Sequence, residues 1–186
     1  MFNDKTNEYI IDLARRSITN FLNNGVILEI DEQELPHPLL LEQRSCFVTL
    51  KLGGKLRGCI GHIEPIQELY RDIIENSVSA AFEDPRFLPL RSGEFNNLHI
   101  EVSVLTRPVK IQCSDASEII QKLNPDVDGV IIKKGNRGAT YLPQVWSEFS
   151  TPQEFLSSLC LKAGLLANEW EKGTIEVSIY QAEIVE

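Results

Sequence analysis

The order of predicted elements repeats along this chain. A β-hairpin carrying an Arg-Gly dipeptide, a proline, a helix and an alternating strand follow one another at residues 46–104 and again at 129–181. Arg57-Gly58 and Arg137-Gly138 stand in matching places, 80 residues apart. Because a hairpin joins antiparallel neighbours, this order favours an α+β fold, an antiparallel sheet flanked by helices, over a parallel doubly wound fold. We therefore hypothesise an internal β-β-α-β duplication, which different strand orders in the two halves would contradict.

Hydrophobic periodicity places the helices and strands. Apolar residues recur at helical spacing over residues 5–24 and again after Pro65. The second helix is predicted to end at Asp84-Pro85, because a residue before proline resists the helical conformation. Strict alternation over 98–104 predicts a half-buried strand. Two hairpins are predicted at residues 46–60 and 129–142. A short helix is predicted at 119–123, a capped helix at 151–164 and a last strand at 174–184.

The stretch between the first helix and the first hairpin shows no clear period. Five carboxylates and a Leu-Pro-His-Pro run fall within residues 28–44, with no basic residue before Arg44. This 28–44 segment is therefore either a solvated surface connection or a lid.

Length and charge narrow the class of protein. The 186 residues suit a single domain or two unequal lobes, for which we expect a smaller lobe around residues 28–97 and a main lobe formed by the first helix with 98–186. With 27 acidic and 18 basic residues the net charge is −9, which disfavours nucleic acid as a partner, since binding to it rests on basic side chains. No apolar run approaches the roughly 20 residues that span a bilayer, and the chain starts without a signal peptide pattern. We therefore expect a cytoplasmic protein with no membrane partner.

Neither a metal nor a cofactor is predicted. Four widely spaced cysteines form no Cys-x-x-Cys pair, and His37 and His99 lack partners at ligand spacing. Neither of the two glycine patterns that cradle nucleotide phosphates occurs.

The run Leu-Arg-Gly-Cys-Ile-Gly at residues 56–61 is the most unusual segment. A two-residue turn at Gly53-Gly54 would place Leu50 opposite Arg57 and Val48 opposite Cys59, so that both residues of the second strand lie on an apolar face. An arginine is costly there unless its guanidinium is paired or reaches an opening. The glycines on either side of the cysteine mark a bulge or a close backbone approach. We therefore predict a small hollow in which backbone, a thiol and a fixed cation meet.

A second candidate is Asp84-Pro85-Arg86-Phe87, which admits two interpretations. In the first it is a helix terminator, with Phe87 in the core and Arg86 paired with Asp84 or Glu83. In the second Arg86 lies beside Arg57, and Asp84 orients one of the two guanidiniums toward a carboxylate or phosphate. Candidate ligand-binding residues are then Arg57, Gly58, Gly61, Asp84 and Arg86, and the candidate catalytic residue is Cys59.

Cys59 and His62 also have the spacing of a nucleophile and its base. On a continuing strand, however, their side chains point to opposite faces, and a dyad requires hydrogen-bond reach. The alternative is a solvent-exposed loop histidine.

Several blocks together resemble one known family. The hexapeptide at 56–61 is followed by Ala-Ala-Phe-Glu-Asp-Pro-Arg-Phe at 80–87 and Glu-Val-Ser-Val-Leu at 101–105. Leu-Pro-Gln-Val and Lys-Ala-Gly follow at 142–145 and 162–164, and Trp170 comes after them. Over roughly residues 8–184 the chain is similar to the AMMECR-type domain family, named for a candidate gene of the human AMME contiguous-deletion syndrome. Its microbial members are called AmmeMemoRadiSam system protein A.

The resemblance implies an α+β fold of two unequal lobes, and Memo-like and radical-SAM proteins as genomic company and candidate partners. It implies no established biochemical activity. The family usually has Thr, Ser or Asn where this chain has His62, which argues against a family-wide Cys–His dyad.

Two classes of function stay open. One is an enzyme or binding protein whose pocket, at Arg57, Cys59, Asp84 and Arg86, takes a small anionic ligand, with cysteine-dependent chemistry and the 28–44 segment as a cover. The other is a non-catalytic interaction or regulatory module in which the 56–61 block is structural and Arg57 pairs with Asp84.

Overall fold

Two four-stranded antiparallel sheets organise the protein, confirming the α+β prediction. The structure is a computed structural model and describes residues 3–113 and 115–186. The helices are α1 (Asp4–Asn24), α2 (Leu69–Phe82), α3 (Ser92–Phe95), α4 (Ala116–Lys122) and α5 (Pro152–Lys162). The strands are β1 (Cys46–Leu52), β2 (Lys55–Gly61), β3 (Leu98–Leu105), β4 (Val109–Ile111), β5 (Gly129–Lys134), β6 (Arg137–Tyr141), β7 (Glu176–Tyr180) and β8 (Ala182–Val185).

The chain divides into two compact units. The first comprises the residues up to Arg107 together with Glu183–Glu186, and the second comprises Pro108–Ala182. Helix α1 belongs to the first unit, where it packs on α2 and β3, rather than to a main lobe with residues 98–186. The division lies elsewhere than expected because periodicity shows which face of a helix is buried but not which element covers it.

The two halves share one strand order. The first sheet runs β2-β1-β3-β8, and the second, from the other edge, runs β6-β5-β7-β4. In both, a hairpin is followed by a helix and a third strand that pairs antiparallel with the first strand of the hairpin. The fourth strands are exchanged, because β4 follows β3 yet pairs with β7, and β8 follows β7 yet lies beside β3. Different strand orders, which would have contradicted the duplication hypothesis, are therefore not observed.

The two Arg-Gly dipeptides, in contrast, do not occupy matching places. Across the hairpin turns Leu52 pairs with Lys55, and Lys134 pairs with Arg137. When the turns are aligned, Arg137 therefore corresponds to Lys55 and not to Arg57. The predicted equivalence is wrong because Arg137 directly follows its turn, whereas Arg57 is the third residue after its turn.

The 28–44 segment is a packed connection rather than a lid. It contains two short 3₁₀ turns, Glu32–Glu34 and Pro38–Leu41, and Leu40 is fully buried. Its carboxylate Glu32 accepts hydrogen bonds from Tyr70 (2.9 Å) and Arg71 (3.1 Å) of α2. Its remaining apolar side chains that pack against the core of the first unit are Leu28, Ile30, Leu35 and Leu39.

The core of the first unit forms where α1 packs on β3 and α2 packs on β1 and β2. Asn3 caps α1 by accepting a hydrogen bond from the Thr6 amide, and Gly25 ends the helix in the left-handed region at φ 69°. The fully buried side chains of this core include Ile10, Leu13, Ile18, Val48, Leu50 and Ile73.

Among the described helices, none combines the length and the apolarity needed to cross a membrane.

Candidate functional site

The register of the first hairpin turns Cys59 away from the core. Leu50 pairs with Gly58 and Thr49 with Cys59, whereas Lys51 pairs with Leu56, so that Arg57 is the extra residue of a bulge. Because paired residues share a face, Cys59 lies with Thr49 and not with Val48 and Leu50. The prediction that Cys59 faces Val48 was wrong, since it assumed a hairpin without a bulge.

Both glycines of the 56–61 block allow close packing. A Cβ atom on Gly58 would lie 2.0 Å from the carbonyl oxygen of Ala80, near the end of α2. A Cβ atom on Gly61 would lie 2.4 Å from the carbonyl oxygen of Cys46 and 2.4 Å from the ring of Phe47. Protein atoms therefore fill the space on the Cβ side of both glycines, and their role in ligand binding stays a prediction.

Asp84 and Arg86 close the open edge of β2. Asp84 Oδ2 accepts a hydrogen bond from the Cys59 amide (2.9 Å), and Arg86 Nη2 donates one to the Cys59 carbonyl oxygen (3.1 Å). The same two side chains form a two-point pair, with Arg86 Nε 2.9 Å from Asp84 Oδ1 and Nη2 2.7 Å from Oδ2. Strand β2 is an edge strand, so this Asp84–Arg86 clamp satisfies backbone groups that no further strand meets.

The charges of the clamp stabilise each other. The Asp84 side chain is only 2% exposed, whereas that of Arg86 is 53% exposed. The Arg86 guanidinium and the backbone amides of Cys59 and Arg86 hold the pKa of Asp84 far below its usual range. Asp84 in turn raises the pKa of Arg86. The predicted pairing of Arg86 with Asp84 is present, while Glu83 accepts a hydrogen bond from Ser79 instead.

Arg57 pairs with Glu94, a residue that we did not single out. Arg57 Nε lies 2.9 Å from Glu94 Oε1, Nη2 lies 3.1 Å from Oε2, and Nη2 also donates to the carbonyl oxygen of Leu88 (2.9 Å). The Arg57 guanidinium, with the Arg91 amide, lowers the pKa of Glu94 to about 2. The pairing of Arg57 with Asp84 expected for a structural role was wrong, because both carboxylate oxygens of Asp84 accept hydrogen bonds from Arg86. One pattern in the sequence could have singled out Glu94. It is the third residue after Arg91, the N-cap residue of α3, where a glutamate side chain can cap the helix.

One nitrogen of Arg57 lacks a hydrogen-bond partner in the described part of the chain. The Arg57 side chain is 13% exposed, and its Nη1 atom is buried without a hydrogen-bond acceptor among residues 3–113 and 115–186. Buried polar atoms in native proteins nearly always have a partner, and Arg57 Nη1 shares its exceptional status with Asn7 Oδ1 among the described residues.

The two arginines both approach one aromatic ring. The Cζ atoms of Arg57 and Arg86 lie 5.9 and 5.5 Å from the centre of the Phe87 ring, within the range of cation–π contact. Phe87 is only half-buried and so does not lie in the core as the terminator interpretation proposed. We call Arg57, Arg86 and Phe87 the arginine platform.

The Cys59 thiol adjoins this platform. It is partly exposed, and it accepts a hydrogen bond from the Thr49 hydroxyl with an Oγ1–Sγ distance of 3.4 Å. After Asp84, Cys59 is among the groups that raise the pKa of Arg86.

His62 points to α2 and not to Cys59. Its Nδ1 atom lies 2.6 Å from Oδ1 of Asp72, whose Oδ2 accepts a hydrogen bond from the Cys46 amide (2.8 Å). The Cys59–His62 dyad is therefore not formed. His62 lies in the loop after β2 with its side chain 38% exposed, as the alternative expected, but its ring is held by Asp72. Asp72 was missed because its place on the buried face of α2 carries no signal beyond helical spacing. Within the described ranges no group of three or more His, Cys, Asp or Glu side chains is placed to hold a metal ion.

We expect acid to weaken the first unit through Glu94. A carboxylate whose folded pKa is lowered stabilises the protein above its unfolded pKa, and this contribution is lost as the pH falls through the folded value. Urea unfolding should therefore show Glu94→Gln on the order of 2 kcal/mol less stable than the parent at pH 6, with the difference vanishing as the pH falls from about 4.5 to about 2.

The matched control for this measurement is Glu8→Gln, because Glu8 is an exposed carboxylate on α1. Its difference from the parent should stay within about 0.5 kcal/mol at every pH. A Glu94→Gln difference that does not change with pH would contradict the Arg57–Glu94 pairing.

The chain matches a family model described as AMMECR1 over residues 11–185. Protein MK0488 of Methanopyrus kandleri is 39% identical over 187 residues, which are 96% of this chain and 87% of that protein. Protein Mbar_A1807 of Methanosarcina barkeri is 40% identical over 186 residues, 99% of this chain and 91% of that protein. The crystal structure of protein PH0010 from Pyrococcus horikoshii superposes with a TM-score of 0.90 at 37% identity, covering 98% of this chain and 92% of that one.

Proposed function

The chain belongs to the AMMECR1 family, and we propose that its arginine platform binds a small anionic ligand. The observation that carries this proposal is the buried Nη1 atom of Arg57, which has no acceptor among the described residues. A ligand oxygen at this atom would complete the hydrogen bonding of the guanidinium. Arg86 supplies a second guanidinium within reach of the same Phe87 ring, and it is half-exposed.

The chemistry of the platform suits a carboxylate or a phosphate. Guanidinium N–H groups bind the oxygens of such anions strongly. The Nε and Nη2 atoms of Arg57 and Arg86 already donate to protein acceptors, so each guanidinium would offer its Nη1 atom to the ligand. Glu94 and Asp84 hold the two guanidiniums in fixed orientations through two-point pairs, so less side-chain entropy is lost on binding. Residues 84–94 together with Arg57 carry three guanidiniums and two carboxylates, in a chain of net charge −9.

Inorganic phosphate is the probe that tests this proposal. At constant ionic strength, thermal unfolding of the full chain should shift upward when phosphate replaces chloride, by an amount that corresponds to about 2.7 kcal/mol at a hundredfold excess over the dissociation constant. Arg86→Gln should lose most of this shift. Arg16→Gln is the matched control and should keep it, because Arg16 is an exposed arginine that pairs with Asp12 on α1.

Two outcomes would overturn the proposal. The first is that phosphate stabilises the protein no more than chloride does. The second is that phosphate shifts the thermal unfolding of Arg86→Gln and Arg16→Gln equally, as expected for screening of the net charge.

A second candidate function, a non-catalytic interaction module, is favoured by the apolar side chains around the platform. Leu88 is 73% exposed and Leu56 is 44% exposed, and Leu88 follows Phe87 directly. Arginine, aromatic and leucine side chains together resemble the centre of a protein interface. The partner would be a protein, for which the family resemblance suggests Memo-like or radical-SAM proteins. Loss of partner binding in Leu88→Asp, with phosphate giving no stabilisation, would favour this candidate over the first.

A further inference from the structure

We propose that residues 27–30 and the adjoining side of α2 form a docking groove for an extended, basic segment of a partner protein, which adds to residues 27–30 as a further β-strand. The proposal goes beyond the anion site, because it uses neither Arg57 nor Arg86. It gives the acidic 28–44 segment a role that the arginine platform leaves open.

The backbone of residues 27–30 has unpaired hydrogen-bonding groups. Burial alternates along this stretch, since Ile27 and Glu29 are exposed while Leu28 and Ile30 pack against the core of the first unit. A period of two is typical of extended chain. Within the portion of the protein that the structure describes, however, no other backbone group forms a hydrogen bond with the amides or carbonyl oxygens of this stretch. Extended chain with unpaired N–H and C=O groups is a template for an additional strand.

A groove lies between this stretch and α2. Its α2 side is formed by four residues, Tyr70, Arg71, Ile74 and Glu75. The aliphatic side chains at the start of the stretch are open to solvent, since Val26 is 56% exposed and Ile27 is 44% exposed. Such side chains next to unpaired backbone favour pairing with another chain, which covers both at once. The groove therefore fits an extended peptide better than it fits a small molecule.

The charge around the groove selects a basic partner. Residues 26–34 contain four carboxylates and no basic residue. Arg71, the one cationic side chain among the described residues that line the groove, is paired with Glu32. Glu29 and Glu75 also line it, and neither carboxylate forms an ion pair with any residue for which the structure gives a position. Lysine or arginine side chains of a partner would meet these uncompensated charges.

These features together define the sequence of the partner segment. Alternate side chains of a strand point to opposite faces, so an added strand meets the aliphatic lining with one set and the carboxylates with the other. A segment of alternating aliphatic and basic residues suits both. A second copy of this chain suits the groove poorly, because its own 27–30 stretch would bring another Glu29 toward the same carboxylates.

A blocked octapeptide of alternating lysine and valine is the probe for this proposal. It carries a fluorophore at one end and is titrated with the full chain at constant ionic strength, and binding is followed by fluorescence anisotropy. One comparison peptide alternates glutamate and valine, and the other is the lysine–valine peptide with every backbone amide N-methylated. Each comparison peptide should bind at least roughly tenfold more weakly, which corresponds to about 1.4 kcal/mol, because the first has the wrong charge and the second cannot donate strand hydrogen bonds.

Two charge reversals on exposed positions locate the binding site. Glu29→Lys should weaken binding of the lysine–valine peptide roughly tenfold, because it places a cation in the groove. Glu8→Lys is the matched control, since Glu8 is exposed on α1 and the variant has the same net charge. It should keep the affinity within about twofold of the parent, because screening limits the effect of a charge outside the groove.

Backbone amide exchange shows whether the peptide adds as a strand. In the free chain the amides of residues 27–30 should exchange rapidly, and saturating lysine–valine peptide should slow exchange roughly tenfold or more at alternate positions of this stretch.

Four outcomes would overturn the proposal. The first is a dissociation constant of the lysine–valine peptide above about 1 mM. The second is equal loss of affinity in Glu29→Lys and Glu8→Lys, as expected for attraction to the net charge alone. The third is unchanged exchange at residues 27–30 when the peptide is bound. The fourth is protection of these amides in the free chain together with a dimer in sedimentation, which would assign the groove to a second copy.

Discussion

Gly58→Ala is expected to destabilise the protein by roughly 1–3 kcal/mol or more, because the new methyl group meets backbone rather than a flexible side chain. Its Cβ atom would lie 2.0 Å from the carbonyl oxygen of Ala80 and 3.1 Å from the Ala80 carbonyl carbon. Either β2 or the end of α2 must move. Both movements displace Asp84 from the Cys59 amide, so the clamp should loosen together with the packing.

Urea unfolding of three glycine variants measures this effect. Gly93→Ala is the matched control, because nothing lies within 4 Å of its added Cβ atom and alanine favours the helical state of α3 by up to about 1 kcal/mol. Gly138→Ala, whose Cβ atom would lie 3.1 Å from the Ile132 carbonyl oxygen, should show a smaller loss than Gly58→Ala. A Gly58→Ala protein as stable as the parent would mean that α2 does not approach β2 this closely.

Asp84→Asn is expected to lower the free energy of unfolding by roughly 1–3 kcal/mol at pH 7. The asparagine amide can keep one acceptor oxygen, but its NH₂ group then faces a donor, either the guanidinium of Arg86 or a backbone amide. Because Arg86 is half-exposed, solvent screens much of its charge, and the expected loss comes mainly from hydrogen bonds inside the clamp.

Hydrogen exchange locates the same effect in the molecule. The Cys59 amide should be protected in the parent and exchange markedly faster in Asp84→Asn, since its carboxylate acceptor is lost or replaced by the weaker amide oxygen. Asp12→Asn is the matched control, because its partner Arg16 lies 3.6 Å away on an exposed helix face, and it should change stability by less than about 0.5 kcal/mol. Unchanged exchange at Cys59 would contradict the clamp.

Local patterns in the sequence predicted the elements better than their partners. Periodicity and capping placed α1, α2, α5 and the two hairpins, because these signals depend on neighbours within a few residues. The exchange of β4 and β8 between the sheets had no local signal, since both strands are short and their pairing is set by distant parts of the chain. The boundary of the units was misplaced for the same reason.

The candidate site was predicted in its composition more than in its geometry. Arg57 and Arg86 do share one aromatic ring, and Asp84 does orient Arg86. A single bulged residue moved Cys59 to the other face, and a register argument fails once such an insertion is present. Glu94, 37 residues from Arg57, could not be assigned as its partner, because an ion pair between distant segments leaves no periodic trace.

The anion site at the arginine platform is tested most directly by the arginine side-chain signals themselves. In a ¹H–¹⁵N spectrum of the full chain titrated with phosphate at constant ionic strength, the Nε–Hε signals of Arg57 and Arg86 should move together and give one dissociation constant. The signal of Arg137, which is hydrogen-bonded to the Gly164 carbonyl oxygen in the second unit, should stay in place. Signals of Arg57 and Arg86 that do not move, or that move no more than Arg137, would contradict an anion site at the arginine platform.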